Sequence, residues 1–306
     1  MKPTVIAISG PTAVGKTAVS IEVAKRTGGE IISCDSMQIY RGMDIGTAKP
    51  TPEETAAVRH FLIDVADPSS EFSCADYKRL ADEAIRDILS RGKLPIFCGG
   101  TGLYLESVLY GTEFSSAPAD KELRKKLSEN PPEVNWERLV RVDPDAAAKT
   151  HPNNIPRVVR ALEIYDLTGV TKTEWDRASR VREPEYDAKI FVLTASDRKF
   201  LYDRIDRRVD IMLENGLLDE VKRLRPDPRT TAGQAIGYKE FTEYLDGKTG
   251  YDEAVGRIKQ ASRNYAKRQE TWWRRSKDAV FVDVCSENFE NIVNFIVSSV
   301  KKNDLY

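Results

Sequence analysis

Near the start of the chain, Thr4 to Ser9 is a β-branched, apolar run, and Lys16 to Arg26 spaces its Ala, Val and Ile residues at helical intervals. Between them lies Gly10-Pro11-Thr12-Ala13-Val14-Gly15-Lys16-Thr17, which fits G-x-x-x-x-G-K-[ST] without a mismatch. A buried strand feeding a glycine-rich turn and then a helix admits few folds. The turn aims backbone N–H groups inward, and the helix N-terminus adds partial positive charge. Lys16 supplies a full charge, and the Thr17 hydroxyl is a candidate Mg²⁺ ligand. Gly10, Pro11, Thr12, Ala13, Val14, Gly15, Lys16 and Thr17 therefore read as a polyphosphate cradle. ATP and a diphosphate are both anionic enough to fill it.

The next segments keep the alternation. Glu30–Cys34, Phe61–Val65 and Leu94–Cys98 read as strands, and Cys74–Ser90 and Thr101–Leu109 as helices, the last stopped by Gly111. Strand–helix alternation predicts βαβ units and a parallel sheet. From about residue 115 to 188 the chain turns polar, helical and proline-rich. Lys189–Thr194 is strand-like again, followed by helices over about 199–224 and 251–277, a strand at Ala279–Val284 and a closing helix at Phe289–Lys301. The predicted architecture is α/β: a P-loop NTPase-like core with a parallel sheet flanked by helices, plus an all-helical insertion domain. The core takes residues 1–114 and 189–306, and the insertion 115–188.

The chain has 306 residues, 41% of them hydrophobic, which suffices for a sizeable core and excludes a disordered chain. Lys plus Arg number 47 against 48 Asp plus Glu, so any nucleic-acid partner must be read by a local patch. The clearest patch runs from Arg257 to Lys277, where eight cations face one acid and Tyr265, Trp272 and Trp273 interleave. No apolar run reaches the ~20 residues of a membrane span. The four cysteines are far apart with no CxxC pair, so a reduced, cytoplasmic protein is expected. His60 and His151 are too distant in sequence to suggest a metal site. The usual nucleotide-hydrolase partners are absent: Asp64 after Phe61-Leu62-Ile63 is the best Walker-B candidate, and no guanine-reading motif occurs.

Directly after the second strand comes Asp35-Ser36-Met37-Gln38. Strand C-termini line the ligand crevice of a parallel sheet, so Asp35 is expected near the phosphate loop. A carboxylate there can hold magnesium water or accept a proton, or cap a turn. Together with Asp44-Ile45-Gly46-Thr47-Ala48-Lys49-Pro50, Gly99-Gly100-Thr101-Gly102-Leu103-Tyr104, Arg160-Ala161-Leu162-Glu163, Gly237-Tyr238-Lys239-Glu240 and Tyr265-Ala266-Lys267-Arg268-Gln269, this ordered series resembles that of the tRNA dimethylallyltransferases, or tRNA isopentenyltransferases.

The resemblance implies transfer of a dimethylallyl group from dimethylallyl diphosphate to the exocyclic amine of the adenosine just 3′ of the anticodon. The tRNAs are those reading codons that begin with U. It implies Mg²⁺ as cofactor and a helical insertion that grips the anticodon stem-loop. It assigns Asp35 as general base, Thr101 as a second group near the amine, and Arg208 to the diphosphate beside Lys16. Ser36, Met37 and Gln38 are expected to meet the target nucleotide, with Gln38 suited to an adenine edge. Arg157 and Arg160 are candidate tRNA contacts, as is Arg124, although many family members have Gln where this chain has Pro156. A monomer is the simpler expectation. Prenyl transfer to free adenine nucleotides and a P-loop small-molecule kinase are the alternatives.

Overall fold

The computed structural model describes residues 2–110, 120–179 and 184–301. In chain order these form β1 (Thr4–Ser9), α1 (Lys16–Thr27), β2 (Glu30–Ser33), α2 (Pro52–Ala57), β3 (His60–Phe61), α3 (Cys74–Ser90), β4 (Pro95–Cys98) and α4 (Gly102–Leu109). Five helices follow: α5 (Lys121–Glu129), α6 (Pro132–Val142), α7 (Pro144–Ala148), α8 (Ile155–Thr168) and α9 (Lys172–Ser179). The chain closes with β5 (Asp187–Thr194), α10 (Arg198–Glu214), α11 (Leu217–Leu224), α12 (Tyr238–Leu245), α13 (Tyr251–Trp273), β6 (Ala279–Asp283) and α14 (Phe289–Lys301).

The chain divides into two compact units, Met1–Val108 with Glu185–Tyr306, and Leu109–Pro184. The first holds a six-stranded sheet in the order β3-β2-β4-β1-β5-β6, parallel throughout. The strands are short apolar runs because helices cover both faces, leaving no solvated side to demand alternation. Val5, Ile6, Ala7 and Ile8 of β1 are fully buried. One core packs β1, β4 and β5 against α1 and α14, with Ile292, Val293, Ile296, Val297 and Val300 supplied by α14. A second core gathers Ile39, Tyr40 and Met43 from the segment after β2 with residues of α10 to α13. From β1 the chain moves to β2 on one side, whereas β5 and β6 lie on the other. The order of strands therefore reverses beside β1, where an open α/β sheet leaves its crevice.

Several expected bounds move. The strand expected at Phe61–Val65 is His60–Phe61, because Leu62 and Asp64 take positive φ and leave the sheet. The helix expected over 199–224 is two, since Asn215-Gly216, with Gly216 at φ +92°, ends α10. The core boundary expected at 189 falls inside β5, which begins at Asp187. Helix α2, with its Thr51–Glu54 capping box, was not anticipated. Gly111 and the expected boundary at 114/115 lie outside the described residues.

The second unit is helical in its described residues and has its own core of Leu127, Leu139, Val158, Val159 and Leu162. Glu163 on α8 is fully buried there and accepts from Arg124 Nε (2.9 Å), from Arg160 (2.6 Å) and from the Asp120 amide (2.8 Å). Burial alone would raise its pKa, but these bonds outweigh burial and hold it below the usual carboxylate range. Two candidate RNA-binding arginines are thus fixed by one acid, with one positive charge left over. Arg157 is exposed and has no ion partner among the described residues.

Candidate active site

The loop between β1 and α1 folds as its residue types require. Gly10 sits at φ +135°, and a Cβ there would lie 2.2 Å from the Leu193 carbonyl oxygen. The close approach of β5 therefore demands glycine. Lys16 reaches back, and its ammonium donates to the Pro11 carbonyl (2.8 Å). Burial pushes its pKa down to about 8; neighbouring Arg208 pushes the same way, while Cys98 and Asp35 oppose. Across the loop, Arg204 Nε donates to the Ala13 carbonyl (2.8 Å). Arg208 lies one turn further along α10 and lines the same cleft as Lys16 and Asp35. Its pKa is lowered by burial and partly restored by the Asp35 charge.

Asp35 follows β2 at the C-terminal edge of the sheet. One carboxylate oxygen accepts from the Met37 amide (2.8 Å) and, more weakly, the Gln38 amide (3.4 Å). The other oxygen has no hydrogen bond among the described residues. The expected turn-capping role and an open face on the cleft thus coexist. Thr101 precedes α4, where its carbonyl accepts from the Leu105 amide (3.3 Å), while its hydroxyl accepts from the Ser36 amide (3.1 Å), tying the 99–101 turn to the Asp35 segment. Gln38 lines the cleft, but its amide is already occupied. It accepts from Ser33 (2.9 Å) and donates to the Ala48 carbonyl (3.1 Å), so in this state it is a brace for the 44–50 loop.

One cleft of about 490 Å³ joins these groups. Thr12, Lys16, Thr17, Arg204 and Arg208 make its cationic end, and Asp35, Ser36, Met37 and Gln38 one wall. Val209, Met212, Leu217, Ile236 and Ile258 supply an apolar stretch. A compact anion and a short hydrocarbon chain suit such a lining. For a divalent cation, the hard oxygen donors at hand are the Thr17 hydroxyl and the Asp35 carboxylate. This set fits Mg²⁺, which is commonly held by one or two protein oxygens plus substrate phosphates. Among the described residues no cluster of three or more His, Cys, Asp or Glu could hold a metal alone.

Asp64 does not line this cleft. Its carboxylate instead accepts from Lys49 (2.5 Å), which also donates to Asp44 (2.7 Å), so the Walker-B reading fails. The basic stretch of α13 is partly neutralised: Lys259 pairs with Asp210 and Arg263 with Asp206 (both 2.6 Å). Lys267, Arg268, Arg274, Arg275 and Lys277 stay exposed. Trp273 is core at 2% exposure, and Trp272 donates to Glu106 (3.0 Å). His60 lines the cleft while its Nδ1 pairs with the Val58 carbonyl (2.7 Å).

Two residues were missed. Glu220, buried on α11, accepts from the Asp44 (2.9 Å), Ile45 (2.9 Å) and Gly46 (3.0 Å) amides and from the Tyr238 hydroxyl (2.5 Å). An acid on the same helix face as Leu217, Val221 and Leu224 was the available signal. Glu220→Ala orphans three amides and a phenol, so unfolding in urea should show a loss of about 3 kcal/mol. The other is Gln269 on α13, whose side chain accepts from the Thr12 amide (2.8 Å).

A family model described as IPP transferase matches residues 38–276. The tRNA dimethylallyltransferase of Anoxybacillus flavithermus is 47% identical over 300 residues, covering 97% of this chain and 96% of that protein. That of Exiguobacterium sp. is 49% identical over 295 residues, covering 94% and 93%. The crystal structure of a tRNA isopentenylpyrophosphate transferase from Bacillus halodurans matches with TM-score 0.74 at 44% identity, over 99% of this chain and 98% of that one. A eukaryotic dimethylallyltransferase acting on tRNA matches with TM-score 0.83 at 31% identity, over 97% and 80%. With a parallel P-loop-type sheet and a cleft joining an anion cradle to a carboxylate, this chain belongs to the IPP transferase family, among the tRNA dimethylallyltransferases.

Proposed function

We propose that this prenyltransferase moves a dimethylallyl group from dimethylallyl diphosphate to the exocyclic amine of the adenosine 3′ of the anticodon, in tRNAs reading codons that begin with U, and releases diphosphate. The observation that carries this reading is the single cleft that holds Lys16, Arg208 and Asp35 beside an apolar stretch.

The leaving group gains negative charge as the allylic C–O bond breaks. Charges and amides already aimed at that position stabilise it without reorganising. Lys16, the amides of residues 13–17 and Arg208 take this role, and Arg204 holds the loop through Ala13. Mg²⁺, bound at Thr17 and the diphosphate oxygens, would add further neutralising charge. The acceptor amine has its lone pair delocalised into the purine and must lose a proton as it attacks. The free oxygen of Asp35 accepts that proton, while its other oxygen keeps the turn in place. Thr101 holds Ser36, next to the base, through the Ser36 amide. An anticodon-loop base must leave its stack to enter such a cleft. Apolar Met37 and the walls around it exclude water that would otherwise capture the allylic carbon.

Labelled dimethylallyl diphosphate and Mg²⁺, offered with either an anticodon stem-loop or AMP, test the reading. Label in the stem-loop is expected. Label in AMP alone would favour a free-nucleotide acceptor, and phosphate transfer from ATP without prenylation a kinase. In the helical unit, Arg124, Arg157 and Arg160 are the proposed contacts to the stem-loop, and the enzyme acts as a monomer. Arg160→Ala should weaken RNA binding and reduce the slope of log K against log salt by about 1, as expected for one lost phosphate contact. An unchanged dissociation constant across a salt titration would remove Arg160 from the interface.

A further inference from the structure

Gln269 is 5% exposed, and its side chain bridges two loops. Its carbonyl oxygen accepts from the Thr12 amide in the phosphate loop (2.8 Å), and its NH₂ donates to the Gly100 carbonyl (3.2 Å). The fit is tight: a Cβ at Gly100 would lie 1.9 Å from Gln269 Nε2, so any side chain at position 100 would have to displace that amide. Gly100 precedes Thr101, whose amide donates to the Cys34 carbonyl (3.1 Å) and whose hydroxyl accepts from the Ser36 amide (3.1 Å). Cys34 and Ser36 flank Asp35. An unbroken line of hydrogen bonds therefore runs from the anion cradle through Gln269 to both neighbours of the carboxylate. Neighbouring turns of α13 hold the same segment. Tyr265, one turn earlier, lies beside Thr101, and Trp272 packs its ring on Gly102, where a Cβ would lie 2.1 Å from the indole nitrogen.

We propose that Gln269 is a positioning residue that sets the distance between the phosphate loop and the acceptor loop, so that occupancy of the first is felt at the second. It touches neither reacting atom. Its amide is the one side chain type of that length with both an acceptor for Thr12 and a donor for Gly100. Transfer between two separately held partners is steep in their spacing, and a misplacement near 1 Å costs on the order of a hundredfold. The catalytic part of the proposal rests on the prenyl-transfer reading above; the mechanical part does not.

Backbone hydrogen exchange with inorganic diphosphate and Mg²⁺ as the probe tests the mechanical part. In the wild type, diphosphate should slow exchange in residues 10–17 and also in 99–106. In Gln269→Met, which keeps the length and loses both hydrogen bonds, protection should stop at the phosphate loop. Gln269→Glu keeps the acceptor and loses the donor while charged, and should behave likewise at pH 8. It also serves if the methionine variant does not fold. Single-turnover transfer should fall roughly ten- to a hundredfold in either variant, with the dissociation constant of each substrate changed less than about threefold. Protection that never leaves the phosphate loop in the wild type, or that reaches 99–106 undiminished in the variants, overturns the proposal. A transfer rate that is unchanged overturns it as well. If the wild type prenylates no RNA, the functional reading fails, and the exchange result still decides what Gln269 does.

Discussion

Asp35→Asn should lower single-turnover prenyl transfer by about 10²–10⁴-fold, the range typical of losing a positioned general base. The substitution is chosen for what it leaves intact. An asparagine oxygen can still accept from the Met37 amide, which Asp35 holds at 2.8 Å, so the turn survives while the basic oxygen is gone. Stem-loop affinity should therefore change by no more than about twofold. An equal fall in RNA affinity and rate would make Asp35 a binding group, and transfer at the wild-type rate would remove it from the chemistry. Substituting alanine would blur the result, because it also releases two amides that now cap on the carboxylate.

Lys16→Met should cost about 10²–10³ in rate, comparable to deleting one preorganised oxyanion donor, together with diphosphate affinity. It should also stabilise the fold. Lys16 titrates near 8 in the folded protein, against 10.5 for an ordinary lysine. Below pH 8 the folded chain carries an ammonium that burial disfavours, and between 8 and 10.5 the unfolded chain binds more protons, so stability rises with pH across that window. Methionine removes a penalty of up to about 3 kcal/mol at neutral pH. Binding shows the opposite slope. An arriving diphosphate restores the ammonium, so above about pH 8 the wild type takes up a proton on binding and its affinity falls up to tenfold per pH unit. A diphosphate ester is already ionised there. In Lys16→Met that slope should vanish. Calorimetry in buffers of different ionisation heat reads the proton directly, and an uptake that persists in the variant would assign it elsewhere.

Much of the core was legible because it is local. The phosphate loop, the strand before it and the helix after it occupy adjacent residues, and burial between helical layers leaves a plain record in apolar runs. The proximity of Asp35 to that loop also followed from the parallel sheet, since every strand ends on the same side. What stayed hidden depends on partners far apart in the chain. Thr12 and Gln269 are separated by 257 residues, and Glu220 lies 174–176 residues from the amides that it holds. No spacing rule reaches so far. Gln38 illustrates a different limit. Its donor and acceptor suited a purine edge, and the same valences serve Ser33 and Ala48 equally well. Arg124 and Arg160 were expected only as separate tRNA contacts; that one buried acid, Glu163, holds both depends on a partner 39 residues from Arg124.

Helix α1, whose first turn forms the anion cradle, rests on side chains of α14, and Arg26 on α1 also pairs with Glu290 (2.7 Å). Residues 264 positions apart in the chain thus complete one another. A nascent chain should hold no diphosphate until α14 has been synthesised, and a frameshift ahead of α14 would silence a motif encoded far upstream of it.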